Sequence, residues 1–316
     1  MSSRTRRRYD IISNLPDTVL GHILSFLPTK EVVATSVPSK RWRNQWCSVL
    51  DINLTNGKDN RGNYDPIELD DEYTLSSFNE FVYSVLLKLD SIKSFHLKVG
   101  YGDSALENRG IPSVVKWVDH VVRLGIESLR LTLFTSIDMK LPVSILSCRT
   151  LVVLNLFSMF VGFSSVRLPS LKILYLELCS FLNDRDLVLL LVGCPILEDL
   201  HIEHLEFHSE DSFTHQEGES LCLSLSKLTK AQMFYFHRHF PLKALHNAEK
   251  LYIELNQVWN LLLLYEYTDG DGIKDKNVLF LLCVWIFFPY FWEYIFVCLF
   301  CLFLDISKFW WDSYLS

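Results

Sequence analysis

Positive charge is scarce in this chain: 30 Lys and Arg stand against 37 Asp and Glu, a net charge of -7 over 316 residues. Broad nucleic-acid binding needs a basic surface, so no nucleic-acid partner is expected. The arginines that do cluster, Arg4, Arg6, Arg7 and Arg8, form a short tip with no apolar stretch behind it. A secretory signal is therefore not expected, and the tip reads either as a solvated terminus or as a nuclear-import element. Cysteine is sparse as well. Eight are scattered through mostly apolar runs, the pattern of reduced, buried thiols in a protein of the cytoplasm and/or nucleus. The glycosylation sequon at Asn53-Leu54-Thr55 is then a chance match.

Catalytic signatures are missing too. There is no Gly-rich phosphate loop, no Gly-x-Ser-x-Gly and no His-Glu-x-x-His, so neither an enzyme nor a bound cofactor is expected. His201, His204 and His208 come nearest to a metal cluster. They fall in and just after a predicted strand, where spacings of three and four do not place side chains on one face. Cys298 and Cys301 have CxxC spacing, but inside a hydrophobic run without the strand-helix context of redox work. No metal site is expected.

What is present is core-forming material: 49% of residues are apolar and 21% charged, which excludes disorder as the dominant state. The first ordered unit spans residues 11–50. Pro16 suits the first position of a helix and Asp17 complements its positive end. Val19, Leu20, Ile23, Leu24 and Leu27 then form a one-sided stripe, ended by Pro28. Thr29 is a candidate cap for a second helix carrying Val32, Val33 and Val37. Ser39 is a candidate cap for a third, with Trp42 and Trp46 on one face. Three such short helices cannot bury all their stripes against one another, so the unit wants a partner surface.

Residues 51–91 read as a polar linker and a spacer helix over 75–89, and a further helix is predicted from Pro112 to Leu124. A repeat dominates the remainder. Apolar-x-x-apolar-x-apolar recurs at Ile92-Phe95-Leu97, Ile126-Leu129-Leu131, Leu151-Leu154-Leu156, Leu171-Leu174-Leu176, Leu197-Leu200-Ile202 and Ala248-Leu251-Ile253. The starts are 34, 25, 20, 26 and 51 residues apart, the last close to two units. A period of about 20–29 is that of leucine-rich repeats, each unit supplying one short parallel strand and gaining its core by stacking. The predicted fold class is α/β: a three-helix unit, an irregular leucine-rich-repeat solenoid over 92–257, and a hydrophobic tail. Outward residues between the repeat apolars, Arg130, Asn155, Tyr175, His201 and Tyr252, are the candidate substrate-binding set. Cys179 and Cys194 near the turns read as packing residues.

Leu15-Pro16-Asp17, Ile23-Leu24-Ser25-Phe26-Leu27-Pro28-Thr29-Lys30, Ser39-Lys40-Arg41-Trp42-Arg43 and Trp46 resemble the F-box motif. With repeats behind them, the chain resembles the plant F-box proteins with leucine-rich repeats, many of which end in an FBD domain. The resemblance implies a non-catalytic subunit of an SCF-type ubiquitin ligase. Its F-box would dock a Skp-type adaptor, and through it a cullin-RING ligase, while the repeats hold a protein substrate for ubiquitination. It also implies that Leu15, Pro16, Ile23, Leu24, Leu27, Pro28, Val32, Val33 and Trp42 build or support the adaptor-binding face. Two departures stand out. Pro38 follows Ser36-Val37 where the group usually has Leu; inside a helix it would cost about 3 kcal/mol. No FBD-like sequence follows the repeats, whose pattern stops near Gln257.

Residues 278–311 instead hold 14 aromatics in 34 positions and no Ala or Gly. Within them, 278–304 contains one charge, Glu293, and one proline, Pro289. The uncharged runs on either side of Glu293 are 15 and 11 residues, shorter than the ~18 of a membrane span. Three readings stay open: a membrane anchor, a buried C-terminal cap, or a segment never selected as protein. They leave a membrane-anchored repeat protein, and a degenerate copy without ligase function, as alternatives to the adaptor.

Overall fold

The structure is a computed structural model describing residues 15–37, 42, 46–47, 49–55, 66–136, 139–162, 165–209, 225–235, 242–254 and 277–281. Chain contacts divide it into two units, 1–282 and 283–316; the second lies outside the described residues.

Helix α1 runs Asp17–Leu24 and α2 Thr29–Ala34, each preceded by a proline, Pro16 and Pro28, whose backbone is extended. The fixed φ of proline suits the turn into each helix. The single stripe expected on α1 is two stripes. Leu20 and Leu24 point inward and are buried, whereas Val19, Ile23 and Phe26 face outward. Val37 does not join the α2 stripe, because α2 closes at Ala34 and a turn over 35–37 leaves Val37 86% exposed. Most of the expected third helix, Pro38 included, lies outside the described residues; Trp46 is buried and Trp42 packs beside the core.

Strand β1, Asp51–Leu54, begins the sheet inside the segment expected as linker. Its alternation is Asp-Ile-Asn-Leu with Ile52 and Leu54 buried, and Val49-Ile52-Leu54 is the repeat pattern itself. The other strands of the sheet are β2 (Ile67–Leu69), β3 (Ser94–Tyr101), β4 (Ser128–Phe134), β6 (Val153–Phe157), β8 (Ile173–Glu177), β10 (Asp199–Glu203), β12 (Lys230–Phe234), β13 (Lys250–Glu254) and β14 (Asn277–Leu281). Their order is β1-β3-β4-β6-β8-β10-β12-β13-β14, with β2 pairing β3, and every pairing is parallel. Strand β12 occupies the long gap before the last predicted repeat. Leu228, Ala231 and Met233 are buried there, a repeat unit with Ala at its middle position. Residues 278–281, the start of the hydrophobic tail, belong to β14 and pair with β13; the remainder of 278–304 lies outside the described residues. Among the described residues no helix is long and apolar enough to cross a membrane.

A second parallel sheet consists of β5 (Met139–Lys140), β7 (Met159–Val161), β9 (Ser180–Phe181) and β11 (Glu206–Phe207), in the order β11-β9-β7-β5. Ser158, Leu178 and His204 make the corner from one sheet to the other, and Tyr235 follows β12 at the equivalent place. Their φ values of 57, 52, 50 and 51° are left-handed. The N–H groups of Ser158, Leu178 and His204 donate to the carbonyls of Glu177, Glu203 and Phe234 at 3.0, 2.9 and 3.2 Å. That hydrogen-bonded ladder holds the corner without glycine, against a local cost of about 1–2 kcal/mol per residue.

Behind the sheet, α3 (Glu72–Leu86) and α4 (Ser104–Arg123) fill the long first repeats, and Phe78 and Tyr83 each meet Trp117 edge-on at 5.8 Å. The helix expected from Pro112 starts eight residues earlier, because Asp103 caps it by accepting from the Leu106 N–H at 2.8 Å. Pro112 is thus interior, and the helix forgoes one hydrogen bond there. Helix α5, Asp184–Val192, is capped likewise by Asn183. Buried Gly110 lets Tyr101 lie against α4: a Cβ there would sit 2.2 Å from the tyrosine ring. Gly110→Ala is therefore expected to lower stability by about 1–3 kcal/mol, despite the better helix propensity of alanine. A urea unfolding midpoint equal to or above the parent's would contradict that packing.

Candidate adaptor face and the outward face of the sheet

Of the nine residues expected at the adaptor face, the structure exposes two and buries two. Pro16 and Ile23 are open to solvent, Ile23 by 43%. Leu24 and Val32 are buried at 1% and 2% and belong to the main hydrophobic core. Leu15, Leu27, Pro28, Val33 and Trp42 are half-buried. Leu24 and Val32 therefore cannot be contact residues, and their place is to hold the helices. Two residues absent from the expected set complete the exposed row: Val19, and Phe26 at 70% exposure with its ring edge-on to His22 at 4.9 Å. The spacing 19, 23, 26 is that of one helical stripe, which the turn after α1 carries on to Phe26, so the signal was available.

The partner surface that the three-helix unit needed is supplied from within. Leu24, Val32 and Trp46 share one core with Val49, Ile52 and Leu54. Thr29, expected as a cap, is the first helical residue instead; its buried hydroxyl accepts from the Asn53 N–H of β1 at 2.7 Å. Thr29→Val leaves that N–H without its acceptor, and a loss of about 1–3 kcal/mol is expected. Thr29→Ser keeps the acceptor and should recover most of it in the same denaturation series.

The five residues expected to bind substrate lie in one row across the sheet. In register, His96 pairs Arg130, Arg130 pairs Asn155, Asn155 pairs Tyr175, and Tyr175 pairs His201. His201 then pairs Gln232, and Gln232 pairs Tyr252. At about 4.8 Å per strand, Arg130 and Tyr252 are some 24 Å apart. Sequence reasoning took one outward residue per unit and missed the next row, two residues on: Lys98, Thr132, Phe157, Glu177, Glu203, Phe234. The period of two along each strand would have supplied it.

Aromatic rings run along this face. Phe134 and Phe157 are 5.3 Å apart, Tyr175 stacks on His201 at 5.2 Å, and Phe234 stands 5.6 Å from His201. Lys98 Nζ sits 5.7 Å from the Phe134 ring. Asp199 is engaged by Lys230 Nζ at 3.3 Å and by the Tyr175 hydroxyl at 3.5 Å. Burial, then the charge of Glu203, raises the Glu177 carboxyl above its ordinary range. Burial, then Arg130 and Lys98, pushes His96 down to about 4.

The histidines singled out for metal have separate surroundings. His201 faces outward, His204 stacks on Tyr235 at 4.1 Å, and His208 lies by Phe160 at 5.6 Å. Among the described residues no group of three or more ligands is gathered. Cys179 and Cys194 are fully buried, donate to backbone carbonyls at 3.2–3.6 Å, and have thiols pushed up to about 12 by burial. They are inert packing residues at neutral pH.

A helical N-terminal unit, of which α1 and α2 are described, joined to a parallel sheet of stacked repeats fits an F-box followed by leucine-rich repeats. The F-box domain family model matches residues 12–52, and the family described as FBD-associated F-box protein At5g56370, LRR repeats, matches residues 114–252. Both matches make the chain similar to the plant F-box proteins with leucine-rich repeats. It is 37% identical over 207 residues to F-box/LRR-repeat protein At4g14103 of Arabidopsis thaliana, covering 63% of this chain and 50% of the relative. With F-box/FBD/LRR-repeat protein At4g26340 of the same plant it shares 35% over 212 residues, 64% of this chain and 45% of the relative. The chain spans about half the length of the curated relatives it matches.

Proposed function

We propose that the chain is a substrate-recognition adaptor of an SCF-type ubiquitin ligase, with the F-box docking a Skp-type adaptor and the sheet face holding a protein substrate. One observation carries the reading. The inward stripe of the F-box is consumed by the repeat core, yet Val19, Ile23 and Phe26 form a second apolar row facing solvent. Such a row on a small helical unit is a surface for another protein.

The chain's role in this reading is positional and non-catalytic. Tethering the substrate beside the conjugating enzyme raises its effective concentration to about the mM range, and the thioester chemistry belongs to other subunits. The Thr29–Asn53 hydrogen bond supports a rigid link between the docking helices and the substrate face. The cytoplasm and nucleus are the compartments where such a complex would work.

Capture of the full-length chain by a purified Skp-type adaptor tests the proposal, and failure to bind would sink it. Pro38 motivates a second arm. Helix α2 ends at Ala34, so Pro38 falls beyond it and does not break it. Binding by the natural chain equal to that of Pro38→Leu is the expected result. Binding by Pro38→Leu alone would make the chain a degenerate family member.

A further inference from the structure

The outward face of the sheet is divided by charge. Lys98 and Arg130 stand on β3 and β4, whereas Glu177 and Glu203 are register partners on β8 and β10. One row reads, strand by strand, Phe157, Glu177, Glu203, Phe234: two carboxylates side by side with an aromatic ring on each flank. At about 4.8 Å per strand the four positions span some 14 Å.

The carboxylates nearest to cations elsewhere on this face are already engaged. Asp199 holds Lys230, and Lys172 holds Glu198 at 2.7 Å. Among the described residues neither Glu177 nor Glu203 is bridged by a lysine or arginine. The positive groups that reach Glu177 are the His201 and His204 imidazoles and, least of the three, Lys98; His201 lies 3.4 Å from Glu203 and is charged only when protonated. Two adjacent carboxylates repel, and the Glu177 carboxyl is raised first by its burial and then by the charge of Glu203. A guanidinium or ammonium laid over the pair would relieve it through charge-assisted hydrogen bonds and would find a ring on either side. The face already accommodates one ammonium in this manner, Lys98 on Phe134.

We propose that this face binds an extended segment of the partner protein whose arginine or lysine seats over Glu177 and Glu203, between Phe157 and Phe234. The proposal rests on the adaptor reading and names the chemistry of its substrate. The other end of the face supplies a second anchor. Arg130 and Glu203 are three strands apart across the sheet and two residues apart along it, about 16 Å, which an extended chain covers in about five residues. A carboxylate about five residues from the basic side chain would therefore meet Arg130. A polyanion is disfavoured, because the carboxylate pair sits in the middle of the face.

The test uses the full chain as bait and a displayed library of random dodecapeptides as probe. Enriched peptides are expected to carry arginine or lysine at one fixed position. A synthetic representative should bind about tenfold more weakly when that residue is changed to glutamine, or when the protein carries Glu177→Gln with Glu203→Gln. The peptide-side change needs no protein variant, so a folding defect cannot mask the outcome. Phe234→Leu, which keeps an apolar side chain, should weaken binding by a smaller factor. No enrichment, enrichment without a fixed basic position, or equal affinity for the glutamine peptide would overturn the proposal. Adaptor capture is read on the same preparations. Capture without basic-peptide selection sinks this inference alone; basic-peptide selection without capture sinks the ligase reading alone.

Discussion

Ile23→Asp and Phe26→Ala are expected to leave the unfolding transition where it is and to remove capture by a Skp-type adaptor, while Leu24→Asp is expected to unfold the N-terminal unit. The contrast comes from a helix and the turn that closes it, which together face two ways. Ile23 and Phe26 are 43% and 70% exposed, so changing them removes no core contact. A central aromatic in an interface is worth about 3 kcal/mol, a loss of about a hundredfold in affinity. Leu24, one residue from Ile23, is 1% exposed and packs into the core that holds Trp46 and Ile52. Replacing it with a carboxylate forfeits its burial and strands a charge, together about 5 kcal/mol, close to the whole stability of a typical domain. Circular dichroism melts and adaptor pull-downs on the same three variants check this. Wild-type capture by Ile23→Asp would move the adaptor face elsewhere, and an unshifted melt for Leu24→Asp would contradict the packing of α1.

The same helix shows where sequence reasoning ends. A run of apolar residues at helical spacing identifies α1, but it cannot say that two different surfaces share the run. That division depends on the core that Leu24 joins together with Ile52 and Leu54 of β1, which no local pattern encodes. β1 itself was legible. Val49-Ile52-Leu54 repeats the signature of the later units, as does Leu228-Ala231-Met233. The first was hidden by the polar stretch after it, the second by an alanine where leucine is the rule. The outward row from Arg130 to Tyr252 followed from strand periodicity because stacked repeats convert sequence phase into spatial register. The left-handed corners at Leu178 and His204 were not readable, since neither residue is a glycine or asparagine and the conformation is imposed by neighbouring carbonyls. Pro112 misled for a related reason: a good start signal was overridden by a better cap at Asp103 and by the packing around Gly110 and Leu106.

Acid should loosen the repeat sheet through His96 before the carboxylates titrate. His96 sits half-buried in the outward row next to Arg130, and its folded pKa falls from 6.5 to about 4, first because burial disfavours the imidazolium and then because Arg130 and Lys98 repel it. The unfolded chain takes up this proton near pH 6.5 and the folded chain only near 4. Through that window the unfolded state binds more protons, so stability rises with pH. The contribution is full above pH 6.5, declines as pH falls, and is lost once pH passes below about 4. At 1.36 kcal/mol per unit the loss is up to about 3 kcal/mol. His96→Gln cannot titrate and should flatten the dependence of the urea midpoint between pH 6.5 and 4. Arg130→Gln removes one of the repelling cations, raises the His96 pKa, and should shrink the loss in part. Direct NMR titration of the His96 imidazole gives the same quantity independently. A midpoint that falls as steeply in His96→Gln as in the parent would assign the acid sensitivity to other groups, of which Glu177 is not one. A carboxyl raised as Glu177 is holds its proton more tightly in the folded state, so its protonation opposes the loss as pH falls.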